Sequence, residues 1–154
     1  MSNSEAPSQS SSAIEPGAST TSVALFSLLG RILITAVFFV SVPAHFGPAD
    51  LGYAVAAGVP LAKFVVPATG LLALIGSISV LLGYKAKLGA WLLVLFLVPV
   101  TLTMHQFWGA KSAMMAQLQM GMFIRNLAIV GGALMISQFG PGPWSLDALR
   151  NSRR

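Results

Sequence analysis

The chain has 154 residues, of which 55% are hydrophobic and only 8% are charged, and its mean hydropathy is +0.79. A soluble domain of this size needs a more charged surface, so the composition predicts an integral membrane protein that folds as one bundle. The sequence contains no cysteine, which excludes disulfides, thiol redox chemistry and Cys-ligated metals. Membrane topology accounts for the net charge of +5, which is therefore no indication of nucleic-acid binding.

The chain opens with a polar segment and then a first apolar run. Residues 1–21 are rich in Ser, Ala and Pro and contain no Lys or Arg, which predicts a disordered tail. Residues 23–42 are long enough to cross a bilayer as a helix, and Arg31 lies inside this span. Helical geometry places Ser27 and Thr35 on the same face as Arg31, so the first span has a polar stripe around a charge.

The second span is preceded by a short apolar patch between prolines. Residues 48–60 begin with Pro-Ala-Asp and end with Gly-Val-Pro, a pattern that predicts a two-turn interfacial helix. The second span covers residues 61–82. Gly70, Ala73 and Ser77 share one of its faces, which favours close packing against another helix.

The third span covers residues 88–104 and follows a tight turn marked by Lys85 and Lys87. His105 lies directly after it, and Trp108 follows in the next connection, where an aromatic side chain suits the membrane interface. The third span itself is almost wholly apolar, and Thr101 and His105 share a face at its end.

The fourth span, residues 117–139, carries Arg125 and Asn126 inside its apolar run. An Arg near the centre of a spanning helix costs roughly 2.5–3.5 kcal/mol, which cancels most of the segment's preference for lipid. We expect the small and polar side of the helix to pack against other helices and its apolar side to face lipid. The alternative for Arg125 and for Arg31 is snorkelling to the headgroups. The Arg125 face also contains Gly121, Ala128 and Gly132. The neighbouring polar stripe consists of Gln119, Asn126, Ala133 and Ser137. The lipid face consists of Met120, Phe123, Leu127, Val130 and Leu134.

The remaining residues, 140–154, form a Pro/Gly-broken and then basic tail. Five Lys and Arg residues lie in this tail and in the connection between the second and third spans, whereas the other two connections carry only Lys63 and Lys111. The positive-inside rule therefore predicts that both termini are cytoplasmic. His45 and His105 would then lie at the outer ends of their spans.

None of the spans contains a carboxylate. The four acidic residues are Glu5, Glu15, Asp50 and Asp147, so this chain offers no acid to pair with the two buried arginines. Their partners would be hydroxyls, amides, backbone carbonyls, water, an acid of a partner subunit or an electron-rich ligand such as a quinone oxygen, a sulfur oxyanion or a lipid headgroup. The two histidines lack the spacing of a metal or haem site, and no nucleotide, flavin or nucleophile motif is present.

Several segments resemble the DoxX-like family, small four-helix membrane proteins commonly labelled oxidoreductases and related to the membrane subunit of thiosulfate:quinone oxidoreductases. The resemblance implies a bacterial inner-membrane location and, by position, functional roles for Arg31, His105, Trp108, Arg125 and Asn126. The family more often has Lys-Asn at the last two positions. The similar segments are GRILI around Arg31, AAGVP before the second span, HQFW at 105–108, QMGMFIRNLAIVGG at 119–132 and FGPGPWSLD at 139–147.

Two functions remain open. The first is a membrane subunit of a redox system that binds a quinone or a small sulfur compound near the outer leaflet, between spans one, three and four. It would have no catalytic residue, metal or cofactor of its own, so electrons would come from a partner subunit. The second is a scaffold or stress-related membrane protein whose arginines pair with another subunit, and an oligomer is compatible with both. A transporter ranks lowest, because no inverted repeat is evident. The candidate ligand-binding residues are Arg31, His45, His105, Trp108, Arg125 and Asn126.

Overall fold

The computed structural model describes residues 20–153, and the regular structure of this part is entirely helical. Four of its helices are long and apolar enough to cross a membrane, which confirms the predicted four-span bundle with a short helix between the first two spans. Residues 1–19 of the predicted disordered tail lie outside the described residues. The helices are α1 (Thr20–Ser41), α2 (Pro48–Ala56), α3 (Ala62–Leu82), α4 (Ala86–Met104), α5 (Ala113–Phe139) and α6 (Leu146–Asn151), with 3-10 turns at Val42–Phe46 and Phe107–Gly109.

The bundle is held together by one apolar core to which all four spans contribute. α3 packs against both α1 and α4, and α4 packs in turn against α5. The rings of Phe38 in α1 and Phe96 in α4 meet edge to face, with their centroids 6.1 Å apart. Ala73 and Ser77 of the predicted α3 seam are fully buried, as expected from the small residues at that face.

The helix ends follow local sequence signals. Gly83 ends α3 in the left-handed conformation, with φ 64°, where glycine carries no steric penalty. Ser112 precedes α5 and its hydroxyl accepts the N–H of Met115 at 3.2 Å, so this helix begins four residues before the predicted start at 117. The earlier start places Arg125 twelve residues into α5, about 18 Å along a helix that rises 1.5 Å per residue.

The packing prediction for α5 is half right. The structure turns the predicted polar stripe with Asn126, Ala133 and Ser137 inward, together with Ile129, but it leaves Arg125 exposed on the outer surface, whereas the sequence predicts Arg125 on the packed side. Both stripes contain small residues, so packing propensity alone does not choose between them. Ile129 decides the outcome, because only the inward stripe adds a large apolar side chain to the core.

Candidate functional site

Arg31 lies in a site built from backbone carbonyl groups. Its side chain is 2% exposed, and its guanidinium donates to Leu81 O at 2.9 Å, to Trp144 O, and to Ser27 O at 3.4 Å. Leu81 is one residue from the end of α3, so the guanidinium lies level with that end and not at the centre of the bundle. Backbone carbonyls thus provide the partners that the missing carboxylates cannot.

The segment that reaches Arg31 is the C-terminal clasp, which we define as residues 140–151. It folds back onto the bundle, whereas the sequence indicates a broken tail. Asp147 accepts the backbone N–H groups of Lys85 and Ala86 at 2.9 and 3.0 Å, and so satisfies orphan donors at the start of α4. Gly142 has φ +84°, and a Cβ there would lie 2.6 Å from the Ser27 side chain. The clasp therefore fits closely between α1 and the α3–α4 turn.

The opposite end of the bundle contains the candidate site, which we call the His groove. It is a cavity of approximately 430 Å³ between α2, α3 and the end of α4. Its size falls within the range of small-molecule sites, and its walls are mainly apolar, as is typical of such sites. Its polar side chains stand at the same end of the bundle. They include His45, Asp50, Tyr53, Thr69, Thr103 and His105.

A chain of hydrogen bonds fixes one side of the groove. Tyr53 donates its hydroxyl hydrogen to Met104 O at 2.9 Å, so it can only accept from Gln119 Nε2, which lies 2.9 Å away. That bond directs Gln119 Oε1 toward His105 Nδ1, also at 2.9 Å. Because an amide oxygen only accepts, Nδ1 of His105 carries the hydrogen and Nε2 is left for a ligand.

His45 stands on the other side of the groove. Its Nδ1 lies 3.3 Å from an Asp50 carboxylate oxygen and 3.4 Å from Ser41 O, and both of these atoms are acceptors. Nδ1 therefore carries a hydrogen, and Nε2 is again left for a ligand. Gly70 allows this placement, because a Cβ there would lie 2.7 Å from His45 Cβ. Within residues 20–153 no three His, Cys, Asp or Glu side chains gather in a way that could hold a metal ion.

The other predicted site residues lie away from the groove. Trp108 packs edge to face against Phe107 and Phe123 at centroid distances of 5.0 and 6.0 Å, and it remains largely exposed. Arg125 is exposed on the outer surface of α5, and Asn126 is buried two turns below Gln119 on the inner surface. The structure thus joins His45 and His105 in one cavity but not with Arg31, Trp108, Arg125 or Asn126. Ligand binding by these residues stays a prediction.

Sequence reasoning missed Tyr53, Asp50 and Gln119 as partners of the two histidines. Asp50 and Tyr53 lie in α2, which looks like a simple interfacial helix in the sequence. Tyr53 and Gln119 are 66 residues apart, and no local pattern indicates that they are in contact. The polar stripe on α5 is the one feature of the sequence that indicates a partner for another polar group, because Gln119 belongs to it.

Comparison with known proteins gives a different family from the one that the motifs suggested. Residues 59–152 match the model of the SURF4 family. The chain is also 33% identical over 79 residues to the ER-derived vesicles protein ERV29 of Saccharomyces cerevisiae. That match covers 51% of this chain and 25% of the yeast protein, so the chain spans about a quarter of the length of this relative. No solved structure matches the chain.

These findings correct four predictions. The DoxX-like assignment is wrong, because the matching family model is that of SURF4. The function of a redox subunit that binds a quinone or a sulfur compound rested on that assignment and is overturned with it, as is the oxidoreductase label. The predicted bacterial inner-membrane location is also wrong, because the matching relative is a yeast protein named for ER-derived vesicles. The multi-pass membrane architecture is unaffected.

The family match covers well over half of the chain. It begins at Val59, just before α3, and runs through α4 and α5 into the clasp. The matched part includes Thr69, Thr103 and His105 of the groove, together with Leu81 and Trp144, whose carbonyls hold Arg31. On this match, the chain belongs to the SURF4 family.

Proposed function

We propose that this chain is an integral membrane binding protein of vesicles that form from the endoplasmic reticulum. The name of its yeast relative supports the compartment. The observation that carries a binding role is the His groove, a mainly apolar cavity lined by two histidines whose Nδ1 atoms are already engaged by acceptors. In this proposal the groove holds an apolar segment of a partner protein that enters the same vesicles.

The chemistry of the groove indicates what such a segment must carry. In the neutral tautomer with the hydrogen on Nδ1, Nε2 of His45 and of His105 accepts, so a ligand that supplies N–H or O–H donors fits these rings. The apolar walls, which include Phe96 and Val66, favour aliphatic or aromatic side chains. A short peptide segment provides both, because its backbone amides are donors and its side chains supply the apolar surface.

The orientation of the bundle supports the same proposal. The clasp end carries Lys85, Lys87, Arg150 and Arg153, whereas Lys63 and Lys111 lie near the groove end. In this proposal, which follows the positive-inside rule, the clasp lies in the cytoplasm and the groove opens to the lumen. A lumenal groove is accessible to proteins that the vesicles enclose.

Site-specific photo-crosslinking tests the groove. A photoreactive residue replaces Thr103, which lines the groove, and in a matched protein it replaces Phe64, which is 74% exposed on the outer surface of α3. We expect protein adducts from position 103 and lipid adducts from position 64. A further change, Thr69→Trp, places a large side chain in the groove and should abolish the adducts from position 103.

The control for groove filling is Leu71→Trp, because Leu71 is half exposed on the same helix and lies outside the groove lining. It should leave the adducts unchanged. Equal adducts with and without Thr69→Trp, in variants of equal thermal stability, would show that the partner does not bind in the groove.

A further inference from the structure

A second cavity, of approximately 710 Å³, lies at the clasp end of the bundle, between the start of α4, the end of α5 and α6. Three cationic side chains line it, those of Lys85, Lys87 and Arg150. None of the three forms an ion pair within the part of the chain that the structure describes. The lining therefore carries three cations against the one carboxylate of Asp147, and its net charge is positive.

The one carboxylate in the cavity lining is already engaged. Both oxygens of Asp147 accept backbone N–H groups at the start of α4, at 2.9 and 3.0 Å. The local partners of the cations carry no charge. Lys87 Nζ donates to Gln138 O at 2.8 Å, and the Arg150 guanidinium lies 5.4 Å from the centroid of the Tyr84 ring. Each of these groups keeps donors free for an anion.

The rim of this cavity has the side chains expected at a membrane surface. Phe139, the last residue of α5, lines the cavity and is 79% exposed. Trp144, Leu146 and Leu149 of the clasp are also exposed. Apolar and aromatic side chains beside basic residues at the end of a spanning helix are typical of the headgroup region. A ligand in this cavity can therefore keep its acyl chains in the bilayer.

We propose that this cavity binds a phosphate group, carried by the headgroup of an anionic membrane lipid. Basic pockets on the cytoplasmic side of spanning helices suit such headgroups, and the guanidinium of Arg150 provides a fork that matches phosphate oxygens. The cavity volume also lies in the usual range for small-molecule sites. Positive charge at the end of a span serves topology in any membrane protein, but topology alone does not require three cations to line one concave site.

Lipid-dependent stabilisation of the purified full chain tests this proposal. The thermal midpoint in detergent is followed while dioctanoyl phosphatidic acid, dioctanoyl phosphatidylcholine or sodium phosphate is added. We expect phosphatidic acid to raise the midpoint and the other two to have little effect. In Lys87→Gln/Arg150→Gln the apparent affinity for phosphatidic acid should fall by about 10-fold or more, since each basic residue near the surface contributes roughly 1 kcal/mol.

The matched control is Lys63→Gln/Lys111→Gln, which removes the same charge at the groove end and should retain the affinity of the unmodified chain. If the first double variant does not fold, Arg150→Gln alone is tested. Arg150 is exposed, so this change should not prevent folding, and it should still weaken binding severalfold. Equal losses in test and control variants, or equal stabilisation by phosphatidylcholine, would overturn the site. Equal stabilisation by sodium phosphate would overturn the lipid as the source of the phosphate group.

Discussion

Arg31 shows how a buried charge is accommodated in this chain without an acid. Its guanidinium reaches the ends of two other segments, at Leu81 O and Trp144 O, and so connects α1 to α3 and to the clasp. These contacts span 50 and 113 residues of sequence. The sequence therefore indicates that Arg31 needs acceptors but cannot identify them, because they are backbone atoms brought close only by the fold.

Replacing Arg31 with methionine should destabilise the protein and release the clasp. The change keeps much of the side-chain volume but removes the side-chain donor of the part-buried Leu81 and Trp144 carbonyls, at up to about 1–3 kcal/mol for each. We expect a lower thermal midpoint in detergent and faster proteolysis within residues 140–151. Arg125→Met is the control, because Arg125 is exposed and its loss should change stability by only about 0.5 kcal/mol. Equal effects of the two changes would contradict the role assigned to Arg31.

At the scale of helices, the four spans could be predicted because a bilayer demands long apolar segments. In the structure α1, α4 and α5 begin three, two and four residues before the predicted spans, and α5 begins directly after its cap, Ser112. The choice of packing face on α5 was not predictable from small residues alone. The family resemblance failed for a related reason, since apolar spans with small-residue seams are common to many membrane bundles.

The crossing of α3 and α4 depends on two glycines. A Cβ on Gly89 would lie 2.4 Å from Ser79 Oγ and 3.0 Å from Gly76 O, and one on Gly76 would lie 3.0 Å from Gly89 O. Gly89→Leu should therefore separate the helices and cost about 1–3 kcal/mol. Gly121→Leu is the matched control, because a Cβ there has no neighbour within 4 Å. Thermal unfolding in detergent gives the midpoints of both variants. Equal midpoints would contradict the close crossing of α3 and α4.

At the scale of the whole molecule, the two ends of the bundle differ in chemistry. The groove end presents two histidines among apolar walls, whereas the clasp end presents unpaired cations beside exposed aromatic side chains. This difference between the two ends fits a protein that binds a partner on one side of a membrane and anionic lipid on the other. His45 and His105 could be selected from the sequence because both follow spans, but the polar network that orients them required the fold.

Vesicle formation in vitro measures the proposed role of the groove most directly. Donor ER membranes containing either the unmodified chain or Thr69→Trp are allowed to form vesicles, and the partner found by crosslinking at position 103 is quantified in the vesicle fraction. We predict that both chains enter the vesicles and that the partner enters severalfold less with Thr69→Trp. Failure of the unmodified chain to enter vesicles, or equal recovery of the partner with both chains, would contradict the proposed function.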